Sequence, residues 1–230
     1  MKKPRFFRLP PPGFTLMEVL IAILMFGIIV TTVFASYRSV FFSAPMIESS
    51  IDLYEMSGTC LGRIALDLRS IYIAQPPAYK KPEFDAPPDP YRVVARGDGD
   101  GSGNTPWLRF ASLGHLSFEQ STREGIAEIV YYDHPVGDGV FQLKRSDSLY
   151  PYPPFEVDGW DPILCEGIKN LKITYFDREG NDYDYWDSES DAFDYATPVS
   201  VNLLIEIAQN GTTSVFETRV TLPVVREGLE

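Results

Sequence analysis

Residues 13–18 read Gly-Phe-Thr-Leu-Met-Glu, and they open an apolar run from Phe14 to Ala35 that contains one charged side chain, Glu18. A helix made of these 22 residues is long enough to span a bilayer. An acidic side chain near the middle of a membrane costs about 3 kcal/mol, so some partner is expected to offset the charge of Glu18. The run is preceded by four cations and no acidic residue: Lys2, Lys3, Arg5 and Arg8.

Two ordinary explanations of such an N-terminus fit it poorly. A secretory signal has a shorter apolar stretch that is followed by a small-residue cleavage site, whereas here the small residue Gly13 precedes the run. A plain membrane anchor explains the length and the basic flank, but it does not explain Glu18.

The basic leader, Gly13, the segment Phe14-Thr15-Leu16-Met17-Glu18 and the apolar helix together resemble the class III signal of type IV prepilins and type II secretion pseudopilins. The resemblance implies that a prepilin peptidase cuts between Gly13 and Phe14 and N-methylates the new amine of Phe14. It also implies that Glu18 pairs with the N-terminal ammonium of a neighbouring subunit. Because an opposite charge at hydrogen-bond distance offsets desolvation, we expect Glu18 to act in assembly and to perform no chemistry.

The charge balance indicates an exported body that does not bind nucleic acid. The chain has 230 residues, with 20 Lys and Arg against 32 Asp and Glu. Without the four cations of residues 1–13, 16 cations face 32 acids, a net charge of −16. Nucleic-acid binding requires clustered cations, and a basic leader is typical of an N-terminus held in the cytoplasm.

Hydrophobic periodicity predicts one long helix from Phe14 to about Ile73, with a kink at Pro45 and an end at Gln75-Pro76-Pro77. Its second half is amphipathic, with apolar residues at spacings of three, four and seven: Ile47, Ile51, Tyr54, Leu61, Ile64, Leu68 and Ile71. The predicted organisation is a prepilin leader at 1–13, a transmembrane helix at 14–35, its amphipathic continuation at 36–75, a Pro/Gly-rich loop insert at 76–106 and a periplasmic antiparallel β domain at 107–230.

Beyond the insert the period changes to two, which predicts six strands: Trp107–Ala111, Ile126–Tyr132, Val140–Lys144, Ile168–Phe176, Val199–Ala208 and Thr213–Leu222. Asp138-Gly139 and Asn210-Gly211 are expected to form hairpin turns between pairs of them. The predicted fold class is therefore α+β, a pilin-like fold in which a long N-terminal helix packs on an antiparallel sheet.

Four segments of the globular part resemble the J-component minor pseudopilins of type II secretion: Leu66-Asp67-Leu68-Arg69, Ile129–Tyr132 with Phe141–Arg145, Leu171–Asp177 with Gly180, Tyr185 and Trp186, and Thr197–Val201. The resemblance implies a structural minor pseudopilin at the pseudopilus tip, which initiates pseudopilus assembly for protein export across the outer membrane. The implied partners are the I and K minor pseudopilins, the major pseudopilin, the prepilin peptidase and the inner-membrane assembly platform. The implied location is the bacterial inner membrane, crossed once, with the C-terminal domain in the periplasm.

Two other functions stay open at this point: a minor pilin that primes a type IV pilus, and a membrane-anchored module that binds calcium or an exported substrate. The start of a calcium-binding loop is imitated by four residues at alternate positions: Asp98, Asp100, Ser102 and Asn104. However, Arg109 occupies the position at which such a loop has a bidentate Glu, and this favours a flexible acidic loop. A second acidic cluster offers the same two interpretations, a solvated loop or a cation site: Asp182, Asp184, Asp187, Glu189, Asp191 and Asp194. No catalytic motif is present, so the chain is predicted not to be an enzyme, with no cofactor other than calcium.

The remaining reactive and aromatic side chains leave alternatives open. Cys60 and Cys165 could pair in an oxidising compartment, or they could be two separately buried thiols. Rings crowd the segment after the Ile168–Phe176 strand and are expected to divide between the core and a protein-contact surface: Tyr175, Phe176, Tyr183, Tyr185, Trp186, Phe193 and Tyr195.

Overall fold

The structure is a computed structural model, and it describes residues 13–83, 85–96, 106–116, 124–137, 139–209 and 212–229. The chain forms two compact units, Met1–Asp52 and Leu53–Glu230. The predicted leader falls almost entirely outside the described residues, which begin at Gly13.

Helix α1 runs from Leu16 to Arg69, within the limits that the sequence predicts, and its backbone is continuous through Pro45. Within the described residues, one stretch is long and apolar enough to cross a membrane, Leu16–Arg38, which has a mean hydropathy of 2.6. The described residues bury none of that stretch, which is compatible with a single membrane anchor.

The C-terminal part of α1 belongs to the second unit and buries one face. Leu61, Ile64 and Leu68 are buried at helical spacing, as the periodicity predicts. The prediction is wrong for Ile51 and Tyr54, whose side chains are mostly exposed. Leu53 and Ser57 are buried in their place, so the buried face of α1 is rotated from the one that the apolar spacing predicts.

One sheet contains all nine strands found in the described residues: β1 Val94–Arg96, β2 Pro106–Ser112, β3 Ala127–Gly137, β4 Val140–Leu149, β5 Ile163–Phe176, β6 Asp182–Tyr183, β7 Tyr185–Asp187, β8 Ser200–Gln209 and β9 Thr212–Thr221. All pairings are antiparallel, in the order β7-β1-β2-β3-β4-β5-β8-β9, with β6 beside β5. The six predicted strands are present, and the α+β fold class is confirmed. The prediction missed β1, β6 and β7.

Alternation along the strands builds the core of the second unit. In β8, every second residue is buried, from Val201 through Leu203 and Ile205 to Ile207. Their inward faces join β3, β4, β5 and the buried face of α1 in one apolar cluster. Gly139 precedes β4 with a φ of +70°, the left-handed conformation that a tight hairpin turn requires. Asp138, Asn210 and Gly211, the other predicted turn residues, lie outside the described residues.

The described part of the 76–106 insert is more ordered than its Pro- and Gly-rich composition predicts. It contributes β1, which pairs with β2 on one side and β7 on the other. The buried side chain of Arg226 packs its guanidinium 3.4 Å over the ring of Tyr79 and donates from Nη2 to the Ser188 carbonyl at 2.6 Å. A loop interpretation therefore fails here, because partners distant in sequence supply the order that local composition lacks.

Candidate functional site

The predicted processing site lies immediately before α1. Gly13 and Phe14 are non-helical, and both are exposed. The Gly13–Phe14 peptide bond therefore lies in an accessible, non-helical segment two residues before the first helical residue, Leu16. This geometry suits cleavage by a peptidase, because a protease must bind its substrate backbone outside regular helix.

Thr15 and Glu18 form a reciprocal set of hydrogen bonds at the start of α1. The Thr15 backbone N–H and hydroxyl both donate to Oε2 of Glu18, at 3.2 and 3.1 Å. The Glu18 backbone N–H donates to Oγ1 of Thr15 at 3.3 Å. This arrangement is a capping box, in which two side chains satisfy backbone donors that the first helical turn leaves unpaired.

The capping box gives Glu18 a role within a single chain. Its carboxylate lies at the helix N-terminus, where the helix dipole favours negative charge. This local stabilisation adds to the intermolecular pairing that the sequence predicts. The sequence reasoning missed Thr15, although the spacing Thr-x-x-Glu in front of an apolar run is the usual signature of a capping box.

A buried ionic network joins α1 to the sheet within the second unit. Asp67 of α1 accepts at Oδ2 from Arg145 Nε at 2.7 Å and from the Tyr131 hydroxyl at 2.6 Å. Its other oxygen, Oδ1, accepts from Arg63. Neither Asp67 nor Arg145 is exposed to solvent. Burial and the neighbouring Asp67 carboxylate raise the pKa of Tyr131 well above its usual value, so this hydroxyl stays a donor.

The network continues from Arg145 along β4. Arg145 Nη1 donates to Oδ2 of Asp147 at 2.6 Å, and Nη2 donates to the Gly114 carbonyl at 3.1 Å. The ring nitrogen Nδ1 of His115 lies 2.6 Å from Oδ1 of Asp147. Burial by itself would lower the pKa of Arg145, but its bonds to Asp67 and Asp147 raise it. The network links the end of α1 to β3 and β4, so it fixes where that part of the helix lies on the sheet.

Asp67 and Arg145 both lie in segments that resemble J-component pseudopilins, but the sequence alone predicts no contact between them. A signal was available, because Asp67 is an acid on the apolar face of α1 between Ile64 and Leu68. An acid in such a position must have a buried partner. Finding Arg145 as that partner requires the three-dimensional fold.

Of the seven rings at the end of β5 and after it, three are buried, three are partly buried and one, Tyr185, is exposed. Tyr175, Trp186 and Phe193 are buried, and the rings of Trp186 and Phe193 stack with centroids 4.3 Å apart. Tyr183 meets Trp186 edge-on at 5.5 Å. Tyr185 is exposed, so the rings divide between core and surface, as the sequence predicts.

Some carboxylates of the acidic cluster at 182–194 already accept hydrogen bonds from protein groups. Glu189 accepts from the Tyr79 hydroxyl at 3.0 Å and from the Asp89 backbone N–H at 2.9 Å. In the described part of the chain, no three His, Cys, Asp or Glu side chains lie together as metal ligands would. Four residues of the predicted calcium loop lie outside the described residues: Asp98, Asp100, Ser102 and Asn104.

A cavity of about 460 Å³ on the outer face of β3 and β4 has an acidic lining that includes Glu128, Asp147 and Asp161. Burial raises the pKa of Glu128, although Arg109, whose Nε donates to it at 2.6 Å, opposes the rise. Burial likewise raises the pKa of Asp161. These raised values reflect desolvation, because each carboxylate already has a protein partner.

The fold brings the two cysteines together. Cys60 of α1 and Cys165 of β5 are buried in the same core cluster, and both are free thiols in the structure. The interaction between the two thiols raises the pKa of Cys60 and lowers the pKa of Cys165.

No protein-family model matches this chain, and no curated protein matches it.

Proposed function

We propose that this chain is a minor pseudopilin of the type II secretion system, placed at the tip of the pseudopilus, where it initiates assembly for protein export across the outer membrane. The observation that carries the proposal is the N-terminal arrangement. The Gly13–Phe14 bond is exposed, and a Thr15–Glu18 capping box begins a helix whose apolar span has no cover within the chain.

The uncovered apolar part of α1 supports a role in which this helix leaves the bilayer and packs against other subunits. An apolar surface of this length requires burial, which a bilayer supplies before assembly and a filament core supplies afterwards. After cleavage, the new amine of Phe14 in one subunit would pair with Glu18 of a neighbour. That pair sets the axial register between subunits, because an unpaired charge in an apolar bundle is costly.

The second unit supports a pilin-like architecture. The end of α1 buries one face against an antiparallel sheet, and Asp67 and Arg145 link the two through a buried ion pair. In the proposed setting this unit lies in the periplasm, and the single anchor lies in the inner membrane. The prepilin peptidase and the assembly platform act on the anchor side.

An exposed aromatic side chain supports a contact with partner subunits. Trp160, in the loop before β5, is 93% exposed, the largest value among the described tryptophans. Tryptophan is enriched among the residues that dominate binding energy at protein interfaces. We assign this loop to the contact with the I and K minor pseudopilins, which would form the tip together with this chain.

Three substitutions separate the charge of Glu18 from its capping role. Glu18→Gln keeps an oxygen that accepts from Thr15 but removes the charge, Glu18→Val removes both, and Thr15→Val removes the cap but keeps the charge. We expect both Glu18 variants to lose co-purification with partner pseudopilins and to abolish export, whereas Thr15→Val retains most of both.

The readouts are co-purification from detergent-solubilised membranes and export of a secreted protein. Wild-type assembly by Glu18→Gln would contradict the ion pair. If deletion of the chain abolished surface pili but left export intact, the chain would belong to a type IV pilus system instead.

A further inference from the structure

The core of the second unit holds two thiols from elements that are far apart in the chain. Cys60 lies on the buried face of α1, and Cys165 lies on β5, opposite Leu143 of β4. Their exposed fractions are 0% and 1%. Both cysteines belong to the same buried core cluster, and the pKa of each thiol is shifted by the other, so the two side chains are neighbours there.

We propose that Cys60 and Cys165 are joined as a disulfide in the exported chain, formed by exchange with an external disulfide before α1 closes onto the sheet. This inference rests on the export that the proposed function requires, because disulfides persist on the oxidising side of a membrane. The timing follows from burial, since an external oxidant reaches neither sulfur in the folded unit.

The exchange is balanced when the external disulfide accepts both electrons. One cysteine thiolate attacks that disulfide, which forms a mixed disulfide and releases one thiolate of the oxidant. The second cysteine, as a thiolate, then displaces the other half of the oxidant. The chain loses two protons and two electrons, and the external disulfide becomes two thiols.

The bridge would hold α1 on the sheet at a second point. Asp67 follows Cys60 by two helical turns on the same buried face, and it is bound to Arg145 of β4. One covalent link to β5 and one ionic link to β4 together prevent α1 from sliding or rotating on the sheet. An axial load on α1 is then transmitted to the sheet without displacement of the helix.

The test uses the full-length chain, isolated from membranes of cells with an oxidising periplasm and purified in detergent. The chain is denatured and alkylated before and after reduction, and the labelled thiols are counted by mass spectrometry. We expect no labelled cysteine before reduction and both labelled afterwards. Cys60→Ser is the matched control, and it should expose a labelled Cys165 without reduction. Two labelled thiols in the unreduced wild type would overturn the proposal.

A second measurement follows the consequence of the bridge. Reduction should lower the melting temperature of the wild-type second unit by roughly 10 °C, because the bridge closes a long loop of the unfolded chain. The double variant Cys60→Ser with Cys165→Ser should not respond to reduction. An unchanged wild-type melting temperature would overturn the role of the bridge in holding α1. Both readouts are independent of filament assembly, so their failure would leave the proposed function standing.

Discussion

Arg145 Nε donates to Asp67 Oδ2 at 2.7 Å, and neither side chain has any contact with solvent. The two residues lie 78 positions apart, one on α1 and one on β4, so their bond connects the helix to the sheet. A buried ion pair contributes little net stability compared with apolar residues of the same size, but breaking one is costly. The main effect of the pair is therefore to specify one position of α1 on the sheet, and its contribution to the free energy of unfolding is secondary.

Breaking this pair should strongly destabilise the second unit. We expect Asp67→Asn and Arg145→Gln each to reduce the free energy of unfolding by about 3 kcal/mol, because the partners that remain, Arg63 for Asp67 and Asp147 for Arg145, compensate a buried charge only in part. Urea unfolding of the full-length chain in detergent, followed by tryptophan fluorescence, measures the change. Arg69→Gln, an exposed position one residue beyond the same buried turn, should change it by less than about 0.5 kcal/mol. A double variant whose loss equals the sum of the single losses would contradict the coupling.

Removing the cap at the start of α1 should loosen only the first helical turn. Thr15→Val should raise the amide exchange rate of Glu18, since its N–H loses the Thr15 hydroxyl as acceptor, at a cost of about 1 kcal/mol. Hydrogen exchange of the chain in lipid nanodiscs, read by mass spectrometry, measures this. Thr15→Ser keeps the hydroxyl and should exchange like the wild type. Equal exchange for Val and Ser would show that the cap is not formed in lipid.

The buried carboxyl of Glu128 should leave a signature in the pH dependence of stability. Because its pKa is raised in the folded unit, the ionised form costs stability at neutral pH, and that cost disappears as the pH falls through the folded pKa. Relative to Glu128→Gln, the wild type should therefore gain stability between pH 7 and pH 4. Urea midpoints of both proteins across this range test the sign. A raised pKa would be contradicted if the difference in urea midpoint between the two proteins stayed constant, or if acidification favoured the variant.

Two tryptophans should separate binding from folding. We expect Trp160→Ala to leave the melting temperature unchanged and to weaken binding to partner minor pseudopilins more than tenfold, as truncation of an interface hot spot does. Trp186→Ala, in the buried stack with Phe193, should cost about 3–5 kcal/mol of stability. Thermal melts and binding titrations of the detergent-solubilised chains measure both effects. Unchanged binding by Trp160→Ala would remove the loop before β5 from the interface.

Periodicity could predict the parts of this fold whose patterns are long enough to repeat. The apolar span of α1 and the alternation in β8 each extend over many residues, and both elements are where the sequence places them. Strands β1 and β7 have three residues each, too few for a period, and they exist because they pair with each other. Their order comes from tertiary contacts, which local sequence does not encode.

The candidate site also has one part that the sequence could predict and another that it could not. The spacing of Thr15 and Glu18 is local, and the capping box could have been predicted from it. The contact between Cys60 and Cys165, and the bond between Asp67 and Arg145, depend on how α1 crosses the sheet. A sequence identifies such residues by their chemistry, as an acid or a thiol on an apolar face, but it does not identify their partners.

The position of β1 in the sheet has a kinetic consequence. From β1 to β5 and from β8 to β9, strands that follow one another in the chain are also neighbours, so local hairpins can build most of the sheet early. β1 is different, because one of its two neighbours, β7, is synthesised much later. We expect this edge to close last, with the Ala95 amide among the last to gain protection in pulsed hydrogen exchange. Until then the growing sheet has an open edge along β1, the site at which a partly folded chain is most exposed to wrong pairing.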